Sequence, residues 1–274
     1  MRESIQGRYA LSPDHIAFFR ERGYVKLKEV LTPDDIGYFR EEITRVVKER
    51  NPLLNKPMTE RTTYERAFVQ ITNLWLQNEI VRELVFSKRL ARIAAELMGV
   101  DGVRLYHDQA LYKEPAGGYT PWHADQYYWP LDTPNTCTVW IPLQAVPREM
   151  GPLAFSERSH LFEIGRDLPI SDESEEMIRQ ALADQNFRYE DGGFDLGEVS
   201  YHYGWTFHRA GPNTTDAVRA VMTIIYMEDG IRVTELTRPE HRADRDAFIP
   251  EAEPGELAAT DRNPLLYARS EVAV

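Results

Sequence analysis

From Val103 to Met227 the chain consists of short runs rich in Val, Ile, Thr, Tyr and Trp, separated by Gly and Pro. This punctuation constrains the fold more than any other feature. The runs are Val103–Leu111, Thr120–Asp125, Thr136–Leu143, Leu153–Phe155, Val199–His208 and Arg219–Met227. Short strands between turn signals predict an antiparallel sandwich or barrel. Residues 161–197 interrupt the series with a predicted helix, Glu173 to Leu182, and a Gly/Asp-rich piece, Asp191 to Gly197. So long a connection suits a lid or binding loop.

Helices precede this body. Ser12-Pro13-Asp14 sets an N-cap and an N1 proline before Ile16, Phe18 and Phe19, and Gly23 stops the run. Tyr24–Leu27 alternates like a strand. Thr32-Pro33-Asp34-Asp35 opens a second helix, to about Lys48, with Ile36, Phe39, Ile43, Val46 and Val47 at helical spacing. A third is expected from about Ile80 to Met98, with Gly99 as its C′ residue. The expectation is one α+β, mainly β domain over 1–274: a helical part at about 11–98, a β core at about 103–230, and an irregular, polar, Pro-rich segment at 231–274.

Composition removes several classes of function. A net charge of −12 argues against a nucleic-acid partner, whose phosphates require a dense basic surface. Cys137 is the only cysteine, so neither an intramolecular disulfide nor a Cys metal cluster can form. The first fifteen residues lack an apolar signal region, and Ala220–Met227 is too short to span a bilayer. A cytoplasmic protein with a small-molecule substrate and no membrane partner is expected; the oligomeric state is not readable.

Chemistry concentrates in a few residues. His123-Ala124-Asp125 is weak evidence alone, but residues i and i+2 of a strand share a face and can reach one ion. Pro121-Trp122 before it and Gln126-Tyr127-Tyr128-Trp129-Pro130 after it give a pocket-like aromatic surround. A second His, His208, ends a later β-like run, and two imidazoles with one carboxylate leave part of an ion's coordination sphere open to co-substrates. Arg219 stands eleven residues on, inside an apolar strand, where a guanidinium is costly to bury unless it meets an anion. His202 is read as a pocket-wall or core residue, His160 as a loop stabiliser, and Asp172–Glu176 as a solvated helix start.

The pattern PWHxDQ…VWIPL…GPL…SH…H-x3-PN…R, with FxxxGYVxL at Phe19–Leu27, resembles the phytanoyl-CoA dioxygenase family of Fe(II)/2-oxoglutarate oxygenases over about Leu11 to Met227. The resemblance implies a double-stranded β-helix, a cupin-like jelly-roll barrel with flanking N-terminal helices. It implies Fe(II) on His123, Asp125 and His208, 2-oxoglutarate on Arg219, and O2 as oxidant. Many relatives carry Ser or Thr where Ala210 stands, so Thr206 or Thr223 is expected to supply that hydroxyl. Met150 stands where relatives often have Asn. Gln109, Lys113 and Trp140 are further candidates for co-substrate contacts, and Tyr127, Tyr128, Trp129 and Trp205 for substrate contacts. Asp125 favours hydroxylation or another hydrogen-abstraction outcome over halogenation, since halogenating relatives have a small residue there.

The function expected is hydroxylation of an unactivated C–H bond in a small, largely apolar metabolite, releasing succinate and CO2. Epimerisation, cyclisation or desaturation with the same cofactors is the alternative. Rivals of other classes are a non-catalytic jelly-roll binding protein and a zinc hydrolase, which would not need Arg219 within a strand.

Overall fold

The computed structural model describes residues 2–269; Met1 and the last five residues of the expected C-terminal segment lie outside the described residues. The first helix, α1 (Pro13–Arg22), starts at a capping box in which the Ser12 hydroxyl accepts from the His15 amide (3.2 Å). It ends at Gly23, whose φ of 89° is open to glycine at little cost. A Cβ on Gly23 would also strike the Thr206 hydroxyl at 2.8 Å. That hydroxyl donates to the Gly23 carbonyl (2.7 Å), so Thr206 serves this turn and is not available to a co-substrate.

Strand β1 (Tyr24–Leu27) leads to α2 (Pro33–Arg50), capped reciprocally by Thr32 and the buried Asp35. A short helix, α3 (Thr63–Ala67), and strand β2 (Val69–Thr72) follow; neither was expected. The single helix expected at about 80–98 is two, α4 (Glu79–Val85) and α5 (Lys88–Met98). Ser87 causes the break: its hydroxyl accepts from the Leu90 amide (3.3 Å) and donates to the Ile5 carbonyl (2.6 Å), a pairing available only outside a continuous helix.

Next come β3 (Gly102–Lys113), β4 (Thr120–His123), β5 (Thr136–Pro142) and β6 (Leu153–Ser156). Helix α6 (Asp172–Asp184) and β7 (Tyr189–Glu190) occupy the interrupting stretch. The run expected at Val199–His208 divides at a turn into β8 (Val199–Tyr203) and β9 (His208–Ala210), which join different sheets. Strand β10 (Arg219–Glu228) completes the expected set. The segment from 231 is not irregular throughout: it holds α7 (Pro239–Phe248) and β11 (Leu265–Ala268). Among the described residues no helix is long and apolar enough to cross a membrane.

The sheets are antiparallel. The larger has the order β1-β8-β5-β10-β3-β11, with β2 also on β3; the smaller runs β4-β9-β6-β7. Alternation along β10 assigns its two faces. Ala220, Met222, Ile224 and Tyr226 enter the main core with Phe19, Phe39, Leu90, Ile93 and Leu97 of the helices. Each large apolar side chain buried there contributes about 2 kcal/mol. Arg219, Val221, Thr223 and Ile225 take the opposite face, away from these helices.

Asp108 of β3 falls on the helix side, where its carboxylate accepts from the amides of Leu74 (3.0 Å) and Trp75 (3.4 Å). Burial pushes this carboxyl up to about 7, above the roughly 3.9 of an unfolded chain. The folded form therefore holds the proton more tightly, and the Asp108 contribution to stability falls as pH rises from about 4 to 7, by up to about 1.4 kcal/mol per pH unit. Asp108→Asn should gain on the wild type across that window in urea unfolding; a difference independent of pH would contradict this.

Candidate active site

Register builds the site. His123 of β4 and His208 of β9 are direct partners across an antiparallel pair, which sets their rings side by side with centroids 4.2 Å apart. Asp125 lies just past the end of β4, in a short 3-10 turn, rather than on the strand. Ala124 between them stays extended (φ −121°, ψ 128°), so the two side chains still project together. Asp125 Oδ1 is 3.6 Å from Nε2 of His123 and 3.6 Å from Nε2 of His208. One ligand atom from each of the three residues lies within 4.8 Å of the others.

The surrounding groups fix which atoms face inward. His123 Nδ1 donates to the Pro121 carbonyl (2.8 Å) and His208 Nδ1 to the Thr206 carbonyl (2.9 Å). Each backbone acceptor selects the tautomer that leaves Nε2 free for a metal. Burial pushes His123 and His208 down to about 4, so both are uncharged at neutral pH, the form that can bind a metal. For Asp125 burial acts upward, but His208, His202 and His123 outweigh it and hold the carboxyl well below its usual range. Thr138 donates to Asp125 Oδ2 (3.2 Å), and His202 Nε2 lies 3.4 Å from the same oxygen without the alignment of a hydrogen bond. His202 is thus a wall residue behind the carboxylate, as read from its context.

These residues line a cavity of about 330 Å³. Trp140 of β5, Thr223 of β10, Gln109 of β3 and Thr72 of β2 are successive register partners, forming one row along its wall. Gln70 donates to Gln109 (2.5 Å) and accepts from the Tyr64 hydroxyl (2.8 Å). Arg219 is buried in the same cavity; its Nη1 donates to the Gly151 carbonyl (2.5 Å), and its guanidinium lies over Trp140, 5.4 Å from the ring centroid. Among the described residues no carboxylate pairs with it. Burial pushes it down to about 9, still charged at neutral pH. Among the described residues its Nε and the Thr223 hydroxyl are buried without a partner. An unpaired buried guanidinium that shares a cavity with an unpaired hydroxyl fits a carboxylate-bearing co-substrate.

Not every expected residue reaches this cavity. Tyr128 and Trp129 line it, but Tyr127 and Trp205 do not. The 3-10 turn after Asp125 ends strand alternation, so Tyr127 packs under Arg238 (4.4 Å to its ring centroid) while its carbonyl accepts from His241 (3.2 Å). Trp205 lies in the β8–β9 turn, with Arg166 over its ring at 4.6 Å. Lys113 is the register partner of Arg219, yet its ammonium bends to the Gly118 carbonyl beneath the turn to β4. Glu175 is not a merely solvated helix residue: it accepts from the Trp122 amide (2.5 Å) and Arg209 (3.1 Å), tying α6 to β4 and β9. His160 holds a loop as expected, by a contact of 3.2 Å with the Arg20 carbonyl.

Sequence reasoning missed Tyr64, Phe68, Gln70 and Thr72, and Asp244 and Phe248 of α7, all in the cavity wall. The alternating Val-Gln-Ile-Thr of β2 and Pro239 at a helix start were the available signals.

The Phytanoyl-CoA dioxygenase (PhyH) family model matches residues 19–221. A probable alpha-ketoglutarate-dependent hypophosphite dioxygenase of Stutzerimonas stutzeri is 23% identical over 161 residues, covering 57% of this chain and 56% of that protein. Among solved structures, the non-heme alpha ketoglutarate dependent carbocyclase SnoK of nogalamycin biosynthesis is 26% identical, with TM-score 0.76, covering 94% of this chain and 99% of that one. The epimerase SnoN of the same biosynthesis is 25% identical, with TM-score 0.73, covering 93% and 97%.

Gly151, whose carbonyl holds Arg219, has φ 71°, and a Cβ there would lie 2.3 Å from the Gly211 carbonyl oxygen. Gly151→Ala should therefore cost about 2 kcal/mol or more in denaturant unfolding. Unchanged stability would refute the close approach. By the extent of the family match and this arrangement of residues, the chain belongs to the phytanoyl-CoA dioxygenase family of iron- and 2-oxoglutarate-dependent oxygenases.

Proposed function

We propose that this protein oxidises an unactivated C–H bond of a small, largely apolar molecule, with 2-oxoglutarate converted to succinate and CO2. The observation that carries the reading is the conjunction, in one cavity, of three metal-competent side chains with a buried guanidinium that has no carboxylate partner in the described chain. His123, Asp125 and His208 would hold Fe(II) through Nε2, a carboxylate oxygen and Nε2; Arg219, aided by Thr223, would hold the distal carboxylate of 2-oxoglutarate. We read the two sheets as halves of a double-stranded β-helix, with the helical part, β core and C-terminal segment forming one catalytic unit.

Bound iron with 2-oxoglutarate and O2 supplies the oxidising power. The chain's own contribution is positioning. The Pro121 and Thr206 carbonyls keep both imidazoles in the ligating tautomer, and Thr138 holds one carboxylate oxygen so that the other faces inward. Trp129, Tyr128, Phe68 and Phe248 present apolar surface to the substrate and displace water from the reacting bond. Residues 161–197 would act as the lid: the Ile170 amide donates to the Tyr128 hydroxyl (2.9 Å), and Ile170 itself lines the cavity.

Two outcomes fit this apparatus. Asp125 stands where halogenation would need an open position, which speaks against halogenation and keeps hydroxylation as the first reading. The likeness to a carbocyclase and an epimerase supports ring closure or inversion as the second reading. Product mass separates them: hydroxylation adds one oxygen atom, cyclisation removes two hydrogens, and epimerisation leaves the mass unchanged.

His123→Ala and His208→Ala should abolish iron binding and succinate formation. Arg219→Ala should raise the 2-oxoglutarate KM by about 10- to 100-fold, as expected for losing a charge-assisted pair. A KM unchanged in Arg219→Ala would remove that residue from the co-substrate site.

A further inference from the structure

Helix α7 carries a second carboxylate into the cavity. Asp244 and Phe248 are one helical turn apart, and both line its wall. Asp244 Oδ2 accepts from the Tyr106 hydroxyl (3.1 Å), its one side-chain donor among the described residues. The neighbouring arginines are directed elsewhere: Arg245 to Asp246 (3.1 Å) and Glu253 (3.4 Å), and Arg238 over Tyr127. No cation of the described chain pairs with Asp244, and burial together with the charge of Asp125 pushes its carboxyl up to about 7, so a docked cation is what would hold it fully ionised at neutral pH.

The other polar groups of this wall leave that carboxylate unanswered. The Tyr64 hydroxyl donates to Gln70, and one amide hydrogen of Gln70 goes to Gln109; neither group hydrogen-bonds to Asp244. His107 stacks flat on Phe248, 3.9 Å between centroids, and burial pushes it down to about 4, which keeps it uncharged at neutral pH. A half-buried carboxylate with free acceptor capacity calls for a charged donor. The aromatic faces of Tyr64, Phe68 and Tyr128 in the same wall add a surface that attracts cations and suits hydrocarbon.

We propose that the substrate carries a basic nitrogen, protonated in solution, which docks on Asp244 while its apolar remainder lies along Phe248, Tyr128 and Trp129. Asp244 is then a specificity-determining residue, and this substrate class rests on the oxygenase reading of the same cavity. A substrate with an anion at that position would meet Asp244 with the wrong charge.

The test uses protein loaded with Fe(II) and 2-oxoglutarate without oxygen, and three probes of one shape: 4-phenylbutylamine, 4-phenylbutanol and 4-phenylbutyrate. Binding is read by calorimetry at about pH 8, where the Asp244 carboxyl is ionised and the amine is still protonated. The ammonium probe should bind about tenfold or more tightly than the alcohol, and the carboxylate most weakly. Asp244→Asn, which keeps an acceptor for Tyr106, should close the gap between ammonium and alcohol, and Asp244→Glu should keep part of it. Lack of an ammonium preference in the wild type, including failure of all three probes to bind, overturns the proposal, as does a gap that survives in Asp244→Asn. Iron and 2-oxoglutarate content measured in the same samples separates the failures. Protein that loads normally but shows no preference refutes only the ammonium site, whereas protein that takes up neither refutes the oxygenase reading and this proposal with it.

Discussion

The pairing of β4 with β9 is the constraint on which the rest of this site depends. It makes His123 and His208 opposite members of one antiparallel ladder, and no loop rearrangement is needed to bring the two imidazoles together. A slip of one residue in that ladder would turn one ring to the other face of the sheet. The metal-competent geometry is therefore a property of sheet register, and Asp125 is added by a single extended residue after the strand. Backbone carbonyls complete the arrangement by fixing both tautomers, which side-chain acceptors would do less rigidly.

The larger sheet works by alternation. One face of β10 belongs to the helix-backed core and the other to the cavity, so a ten-residue strand carries both the stability of the fold and the reactive environment. This explains why an arginine is tolerated inside a run as apolar as Arg219–Met227. Its side chain leaves the core for the cavity, where the Gly151 carbonyl satisfies part of it and the remainder is left for a ligand. The cost of an unpaired buried cation in the free protein becomes affinity when an anion arrives.

Much of this was legible in the sequence, and the misses have identifiable causes. His123, Asp125, His208 and Arg219 stood out because buried polar residues in β-rich runs need partners. Gln109, Trp140 and Thr223 followed from the same strands and share one row. Tyr127 and Trp205 misled because strand alternation was extended into turns that break it, and Lys113 because a flexible stem can bend away from its register partner. Helix α7 was invisible as an amphipathic element: Pro-Glu-His-Arg-Ala-Asp-Arg-Asp-Ala-Phe shows no apolar stripe, so its contribution of Asp244 and Phe248 could not be read from periodicity. Ser87 hid a helix break because a serine inside an apolar helical pattern gives no unique signal.

On the proposed reading, one cavity would bind iron through His123, Asp125 and His208 and 2-oxoglutarate beside it on Arg219. Anaerobic titration of the metal-free protein with Fe(II), then with 2-oxoglutarate, followed by visible absorption, tests it most directly. One iron per chain is expected, with a metal-to-ligand charge-transfer band that appears only when both are present. Retention of zinc in preference to iron, or saturation with both components and no such band, would contradict it.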